Sequence, residues 1–316
     1  AQSNLKVLIL EQKPSIGGEI DKNNNSDNGP RKLVNEIYSN LKKHSNVKIL
    51  TNTCVFAYMH HNYLLASQTL NRAGIRQMIW KIRAKKVVLA TGSLERPLTF
   101  HNNDRPGIML SHSAKYYANA NVLSCKNIIL FTNNDYAYQA VIDFYNLDPS
   151  KNIIVVDLRN DSRGDLVEKA KSLGIKILFN HIISNTAGRK KVKTVSIHRI
   201  DDKTNEIKNF YDTLSCDLLC VSGGWTPTVH LFTQSRGKLI FRDSDATFLP
   251  YKSFQNEISV GSCNGTFDLK NILDETYNKI LKFLSISKKN INKRNHNDLF
   301  EIKETFYDKM KHLWII

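Results

Sequence analysis

Long apolar runs are absent from this sequence of 316 residues. A membrane-spanning helix needs about 18 or more consecutive apolar residues, and no such stretch occurs. Residues 1–10 also lack the charged, apolar and small-residue zones that define a signal peptide. Together these absences predict a soluble, cytoplasmic protein.

Paired cysteines and metal-ligand spacings are also missing. No two cysteines have the Cys-x-x-Cys spacing of a zinc ribbon or of a thioredoxin-like redox site. The cysteines are Cys54, Cys125, Cys216, Cys220 and Cys263. Cys216 and Cys220 flank a predicted strand, where a buried thiol behaves as a small hydrophobic side chain. The histidines, among them His60 and His61, do not have the spacing of metal ligands. From the cysteines and histidines together we predict neither a metal site nor a catalytic cysteine.

One sign of charge dominates, with 45 Lys and Arg against 29 Asp and Glu and a formal net charge of +16. A clustered excess would favour nucleic acid or an anionic membrane surface, because lysine and arginine release counterions from phosphates. The basic residues are instead scattered among asparagines, as in residues 21–28 and 288–295. We therefore interpret the charge as solvated surface and expect neither nucleic acid nor a membrane as a partner.

A glycine-rich loop is missing from the clearest βαβ segment. Residues 127–132 and 152–157 predict buried strands around a helix near residues 136–145, which implies a parallel sheet with a right-handed crossover. A dinucleotide-binding unit needs glycines where its first strand meets the helix. Residues 132–137, TNNDYA, contain none, and Asp135 would put a negative charge near the phosphates. This unit is expected to keep the fold without the cofactor.

A carboxylate and two glycine turns are the features that point to a nucleotide. Residues 5–11 form an apolar run that ends in Glu11, which predicts a buried parallel strand. In a Rossmann unit, an acid at the end of the second strand accepts hydrogen bonds from the adenosine ribose. Gly17 and Gly18 follow, and Gly92 forms a second turn after another buried strand. This arrangement is typical of flavoproteins with two dinucleotide units, and it weakens the alternative of ordinary surface turns.

The whole pattern predicts an α/β protein with a two-lobed, Rossmann-type FAD/NAD-binding fold like that of disulfide reductases. Residues 55–82 alternate apolar and polar side chains and predict an antiparallel meander within the first lobe. The first lobe is expected to be incomplete at its N-terminus, because its glycine loop would precede residue 1. The expected boundaries are 1–95 and 218–285 for the first lobe, 96–217 for the second, and 286–316 for a linker tail.

Three longer motifs carry a resemblance to a known family. They are residues 94–110 (LERPLTFHNNDRPGIML), 131–138 (FTNNDYAY) and 221–239 (VSGGWTPTVHLFTQSRGKL). In these motifs the chain resembles the α subunit of heterotetrameric sarcosine oxidase. The resemblance spans essentially the whole chain but only the middle of that subunit. It implies a ferredoxin-like domain and the glycine loop before this segment, and a folate-binding, aminomethyltransferase-like domain after it.

The resemblance also implies a division of labour. Sarcosine would be oxidised at an FAD in the β subunit, electrons would pass to an FMN at the α/β interface, and O2 would become hydrogen peroxide. The methyl carbon would leave as 5,10-methylenetetrahydrofolate, and γ and δ subunits would complete the complex. The present segment would hold NAD and contribute to assembly, with no catalytic residue of its own and no activity alone.

A set of NAD-binding residues follows from the same resemblance. They are Glu11, Gln12, Lys13, Gly17, Gly18, Glu19, Val55, Thr91, Gly92, Gly261, Ser262 and Phe267. The first three would bind the adenosine ribose, the next three would line the turn beneath the dinucleotide, and the valine would offer backbone groups to adenine. The others would line and close the site. The glutamate ending the turn replaces an expected small hydroxyl residue, which puts that contact in doubt.

Two other interpretations stay open. One is a related amine, proline or opine dehydrogenase subunit with another electron acceptor, and the other is a structural scaffold that binds no nucleotide. The motif in residues 221–239 favours sarcosine over other amines. We interpret residues 223–227 and the loop 102–105 as packing elements rather than as contacts with a partner subunit.

Overall fold

The computed structural model describes residues 5–18, 30–72, 74–201, 204, 206–286 and 310–311. The strands are β1 (Val7–Leu10), β2 (Val47–Leu50), β3 (Thr53–Met59), β4 (Tyr63–Arg72), β5 (Ile75–Arg83), β6 (Val87–Leu89), β7 (Ser93–Glu95), β8 (Ile108–Leu110), β9 (Asn127–Thr132), β10 (Asn152–Asp157), β11 (Lys176–Phe179), β12 (His181–Ala187), β13 (Thr194–Ile200), β14 (Ile207–Ser215), β15 (Leu218–Ser222), β16 (Trp225–Pro227), β17 (Lys238–Arg242), β18 (Thr247–Lys252) and β19 (Glu257–Ser259). The α-helices are α1 (Pro30–Lys42), α2 (Ser111–Asn119), α3 (Tyr138–Leu147), α4 (Asp165–Ser172), α5 (His230–Gln234) and α6 (Leu269–Leu284), and Gly261–Asn264 is a 3-10 helix.

The chain forms two compact units, neither continuous in sequence. The first unit takes its described residues from Ala1–Ser93, Pro227–Phe241 and Phe248–Ile302. The second takes them from Leu94–Thr226, Arg242–Thr247 and Lys303–Ile316.

The first unit holds two parallel strand pairs and an antiparallel meander. β1 pairs with β2 and β6 pairs with β19, while β3, β4 and β5 form the meander expected from residues 55–82. Its core contains Tyr58, Leu64, Val87, Leu89 and Phe232, all buried. The two parallel pairs are separate sheets among the described strands.

The second unit is built on a five-stranded parallel sheet in the order β11-β10-β9-β15-β8. Its central strands are apolar on both faces, as expected when both faces are covered. One face packs with α2, α3 and α4, and the other packs with the antiparallel β12-β13-β14 sheet. The parallel βαβ arrangement predicted from the sequence is confirmed here.

The expected lobe boundary at residue 218 is wrong. β15 belongs to the second unit, where it hydrogen-bonds β9 on one side and β8 on the other. Its five residues are all buried, so this strand needs neighbours on both edges and both faces. The chain therefore stays in the second unit until Thr226. Cys220 accordingly lies within this strand rather than beside it.

Other expectations change in detail. The buried strand predicted for residues 5–11 is shorter, and Leu8 is 38% exposed, because β1 has a hydrogen-bonded partner on one edge only within the described residues. β13 and β14 pair antiparallel on either side of residues 201–206, and β12 adds a third strand that the sequence pattern did not indicate. Residues 19–29 and most of the expected tail at 286–316 lie outside the described residues.

Candidate dinucleotide site

Glu11 lies directly after β1 and organises the turn that follows. One carboxylate oxygen accepts a hydrogen bond from the Lys13 backbone N–H at 2.8 Å. The Glu11 backbone N–H donates to Leu50 at the end of β2 (2.9 Å), and its carbonyl accepts from Thr53 at the start of β3 (2.8 Å). The carboxylate is half-buried at the carboxyl end of a parallel pair, the position at which Rossmann units bind ribose.

Gly17 and Gly18 form a turn that requires glycine. Their φ angles are 117° and 59°, in the region that L side chains rarely adopt. A Cβ added to Gly18 would meet no atom of the described residues within 4 Å. The two glycines therefore set the course of the backbone, and none of the described residues fills the space beside Gly18. Glu19, the next residue assigned to this turn, lies outside the described residues.

The second group of expected site residues meets at the ends of β6 and β19. These strands run parallel with Leu89 opposite Ser259, so the segments that follow them emerge at one edge. Gly92 has a φ of 76°, and a Cβ there would lie 4.0 Å from the Ser262 side-chain oxygen. The structure thus brings Thr91 and Gly92 together with Gly261 and Ser262.

Backbone contacts hold the Thr91 turn in place. The Thr91 hydroxyl donates to the Thr228 carbonyl at 2.6 Å, and the Thr228 N–H donates to the Gly92 carbonyl at 2.9 Å. Because glycine at position 92 carries no side chain, the face toward Ser262 stays open for a ligand backbone contact. Thr91 itself is exposed.

A helix N-terminus follows the returning segment. The 3-10 helix at Gly261–Asn264 begins at Gly261, whose φ is 71°, and leads through half-buried Phe267 into α6. Asp268 caps α6 by accepting a hydrogen bond from the Asn271 N–H at 2.7 Å. A 16-residue helix beginning here puts a partial positive charge at the end of this returning segment.

The expected site residues therefore fall into two groups within the first unit. Glu11, Gln12, Lys13 and the glycine pair belong to the turn after β1, and Val55 follows in β3, which is joined to that turn through Thr53. Gln12 is exposed, whereas Val55 is half-buried beside an irregularity in the β3–β4 register. The other group surrounds the ends of β6 and β19.

The corresponding strand ends of the second unit carry a buried ionic cluster. Arg159 donates to both oxygens of Asp157, at 3.0 and 2.8 Å, and to Asp135 at 2.7 Å. The Ser162 hydroxyl also donates to Asp135, and the Tyr138 hydroxyl donates to Asp157, each at 2.7 Å. All five residues are buried.

The cluster sets one guanidinium, that of Arg159, against two carboxylates. Burial alone would lower the pKa of Arg159, but the carboxylates of Asp157 and Asp135 raise it overall. Burial and Asp157 raise the pKa of Tyr138. The cluster was not expected from the sequence. Asp157 ends the second strand of the predicted βαβ unit, and Glu11 holds a similar place after β1 of the first unit.

Two of the three motifs that carry the family resemblance, residues 94–110 and 221–239, contact each other in the second unit. The Arg96 side chain donates to the carbonyls of Gly223 (3.1 Å), Asp245 (2.8 Å) and Ala246 (2.7 Å). A Cβ on Gly223 would lie 2.8 Å from the Pro97 carbonyl oxygen, so only glycine fits. These contacts support the interpretation of residues 223–227 as a packing element.

The loop at 102–105 is tied down within the same unit. The Asn102 side-chain amide donates to Asn185 at 2.8 Å, and the Asn102 carbonyl accepts from the Thr186 hydroxyl at 2.7 Å. Arg105 donates to the Gly188 carbonyl. The loop thus fastens the five-stranded sheet to β12, which agrees with a packing role.

Among the described residues, no cluster of three or more His, Cys, Asp or Glu side chains could hold a metal ion. Cys216, Cys220 and Cys263 are buried, and burial raises the pKa of the Cys216 thiol to about 12. A thiol with such a pKa is a poor nucleophile. Within the described part of the chain, no helix is long and apolar enough to cross a membrane.

Comparison with known proteins relates the sequence to one enzyme subunit. The sarcosine oxidase subunit alpha of Corynebacterium sp. (strain U-96) is 31% identical over 289 residues, which is 86% of this chain and 29% of the relative. That of Rhizobium meliloti (strain 1021) is 25% identical over 292 residues, 87% of this chain and 27% of the relative. The chain thus spans less than a third of the length of the curated relatives it matches. No family model matches the sequence.

Solved structures show the same fold at low sequence identity. Thioredoxin reductase of T. acidophilum matches with a TM-score of 0.63 and 14% identity, over 91% of this chain and 99% of that one. Mycobacterium tuberculosis FprA in complex with NADPH matches with a TM-score of 0.56 and 15% identity, over 92% and 81%. The chain therefore has the Rossmann-like α/β fold of FAD/NAD-dependent disulfide oxidoreductases.

Proposed function

We propose that this chain is the NAD-holding segment of an amine oxidase complex. The chain is related to the α subunit of sarcosine oxidase and corresponds to part of it. The observation that carries the proposal is the pair of glycine turns in the first unit, one behind the Glu11 carboxylate and one beside Ser262. Both follow the carboxyl ends of parallel strands, where nucleotides bind in this fold.

Glu11 is the proposed partner of the adenosine ribose. A carboxylate offers about four acceptor positions, so the hydrogen bond from Lys13 leaves capacity for two ribose hydroxyls. The backbone at Gly17 and Gly18 passes beneath the dinucleotide, and the open space beside Gly18 suits the approach of a pyrophosphate. The dinucleotide bound there is NAD, and this chain contributes no catalytic residue.

The two separate parallel strand pairs of the first unit support the proposal that a further strand lies between them. Parallel sheets are normally covered on both faces and contain more than two strands. Here β1–β2 and β6–β19 remain separate, and Leu8 and Val88 are 38% and 40% exposed. We place between them a strand that carries the glycine-rich loop and belongs to another part of the full protein.

The wider proposal concerns the reaction of the complete complex. Sarcosine is oxidised at an FAD of the β subunit, an FMN lies between the α and β subunits, and O2 is reduced to hydrogen peroxide. The methyl carbon passes to tetrahydrofolate on a further domain of the α subunit, and γ and δ subunits complete the assembly. The chain by itself has no such activity and binds NAD weakly.

The test of NAD binding uses the complete protein purified with its partner subunits. Acid denaturation should release about one NAD per α chain, quantified by enzymatic cycling. Glu11→Gln keeps the shape but weakens the charged acceptor, so retained NAD should fall about tenfold, as the loss of a charge-assisted hydrogen bond predicts. Glu168→Gln, an exposed carboxylate of the second unit, is the matched control. Release of no NAD from the wild type would establish the scaffold alternative.

The substrate is tested separately, by peroxide release with sarcosine, proline and an opine. Sarcosine should give the highest kcat/KM. Peroxide from proline but not from sarcosine would favour the related dehydrogenase subunit instead, without affecting the assignment of the NAD site.

A further inference from the structure

The carboxyl edge of the five-stranded sheet is the place where a second nucleotide would bind. The chain proceeds from β9 to β10 and β11 on one side, whereas β15 and β8 lie on the other. The strand order therefore changes direction at β9, and ligands of open α/β sheets bind at such switch points. In this unit residues 133–135 follow β9 and occupy that position.

Each side chain of this three-residue loop bonds to the protein itself. Asn134 donates to the Ser222 carbonyl and hydroxyl at the end of β15, both at 3.2 Å. Asp135 accepts from the buried Arg159 guanidinium at 2.7 Å. Asn133 donates from its side-chain amide to the Lys311 carbonyl at 2.9 Å. All three loop side chains are buried, so the loop is closed by internal contacts.

A second contact holds the same distant segment. Gly224 follows β15, the strand adjacent to β9, and has a φ of 93°. A Cβ at this position would lie 2.9 Å from the Met310 sulfur. Met310 thus lies where any side chain at Gly224 would be, and glycine makes the room for it. Met310 and Lys311 therefore contact the carboxyl ends of two adjacent strands.

We propose that the former nucleotide edge of the second unit is a docking site for this chain's own segment at Met310 and Lys311. The Arg159 cluster closes the floor of that edge, and Asn133 and Gly224 receive the segment. The site thereby anchors the segment at Met310 and Lys311 to the second sheet and excludes pyridine nucleotides from it. The proposal concerns the second unit and does not depend on NAD binding in the first.

Limited trypsin digestion of the intact protein tests this docking, because trypsin cleaves after Lys311. Cleavage at this bond, followed by mass spectrometry, should be slow in the wild type. Asn133→Ala removes the donor to Lys311 and should make cleavage about tenfold faster, because the opened state that the protease cuts becomes more populated. Asn152→Ala is the matched control, since it removes an exposed amide at the amino end of β10. Equal cleavage rates in the two variants would overturn the proposal.

A second arm uses only the wild type and so does not depend on how a variant folds. NADH and NADPH are added in large excess before digestion. If the segment occupies the nucleotide edge, neither compound should change the cleavage rate after Lys311. Faster cleavage with either nucleotide would mean that it displaces the segment, and the edge would then be an open nucleotide site.

Discussion

Both units place turns at the carboxyl ends of parallel strands, and these turns differ in whether their polar groups already have partners in the protein. In the first unit, the turn after the acid of β1 contains two glycines with positive φ, and the space at Gly18 is open. In the second, residues 133–135 are buried and each bonds to the protein. The acids at the strand ends differ likewise: Glu11 accepts from its own turn, whereas Asp157 is paired with Arg159. Whether such an edge can bind a nucleotide therefore depends on whether its polar groups already have hydrogen-bond partners within the protein.

The largest expected effect is the removal of the cation from the ionic cluster. Arg159→Met would leave Asp135 and Asp157 buried without their countercharge, which costs about 3–5 kcal/mol in the free energy of unfolding. Urea denaturation measures it. Arg163→Met is the control, because the Arg163–Asp161 pair is exposed and contributes about 0–1 kcal/mol. If Arg159→Met and Arg163→Met had similar free energies of unfolding, the ionic cluster would not close the carboxyl edge of the five-stranded sheet.

A smaller effect separates backbone strain from ligand contact in the first unit. Gly18→Ala and Gly74→Ala each put a Cβ at a positive φ, 59° and 84°, with no atom within 4 Å. Each should therefore destabilise the protein by about 1–2 kcal/mol. NAD retention should fall in Gly18→Ala alone, because Gly74 lies in the turn of the meander. Equal NAD retention would remove the glycine pair from the proposed site.

The smallest expected effect concerns pH and Glu257, a buried carboxyl of the first unit. The Ser235 hydroxyl donates to one oxygen of the buried Glu257 carboxyl, and the Tyr58 hydroxyl also interacts with this carboxyl. Burial raises the pKa of Glu257 above its ordinary 4.5, although the interactions with Ser235 and Tyr58 oppose this. Between the unfolded and the folded pKa, the folded state therefore holds a proton that the unfolded chain has already lost.

The sign of the pH dependence follows from that difference in bound protons. The contribution of Glu257 to stability is complete below about pH 4.5 and declines as the pH rises through the raised folded pKa. Glu257→Gln should remove this part of the decline, as measured by urea midpoints across pH 4 to 8, a range of about four units. The exposed Glu168→Gln should leave the pH profile unchanged. An unchanged profile in Glu257→Gln would mean that the carboxyl is ionised when buried.

Much of the second unit could be predicted from local sequence. The runs at 127–132 and 152–157 are apolar throughout, and this pattern is sufficient for buried parallel strands. The absence of glycine from the segment after β9 was also visible in the sequence alone. The partners that close the loop were not predictable, because Arg159, Ser222 and Lys311 are distant in sequence and reach it only through the fold.

The candidate site likewise combines features that local sequence predicts with features that depend on strand pairing. Glu11, the glycine pair and Gly92 were recognisable because each depends on residue type at a strand end, a property that short sequence carries. The contact between Gly92 and Ser262 was not, since it depends on the parallel pairing of β6 with β19. For the same reason, no local pattern indicated that β15 belongs to the second sheet.

The type of each element and the chemistry available at its ends therefore follow from the amino-acid sequence alone. Apolar runs specify buried strands, and glycines specify turns with positive φ, because both follow from local sterics and from the burial of side chains. Which strand ends stay open and which are closed depends on the three-dimensional fold. That outcome depends on long-range pairing, which brings Arg159, Met310 and Lys311 to one nucleotide edge and leaves Gly18 beside open space at the other.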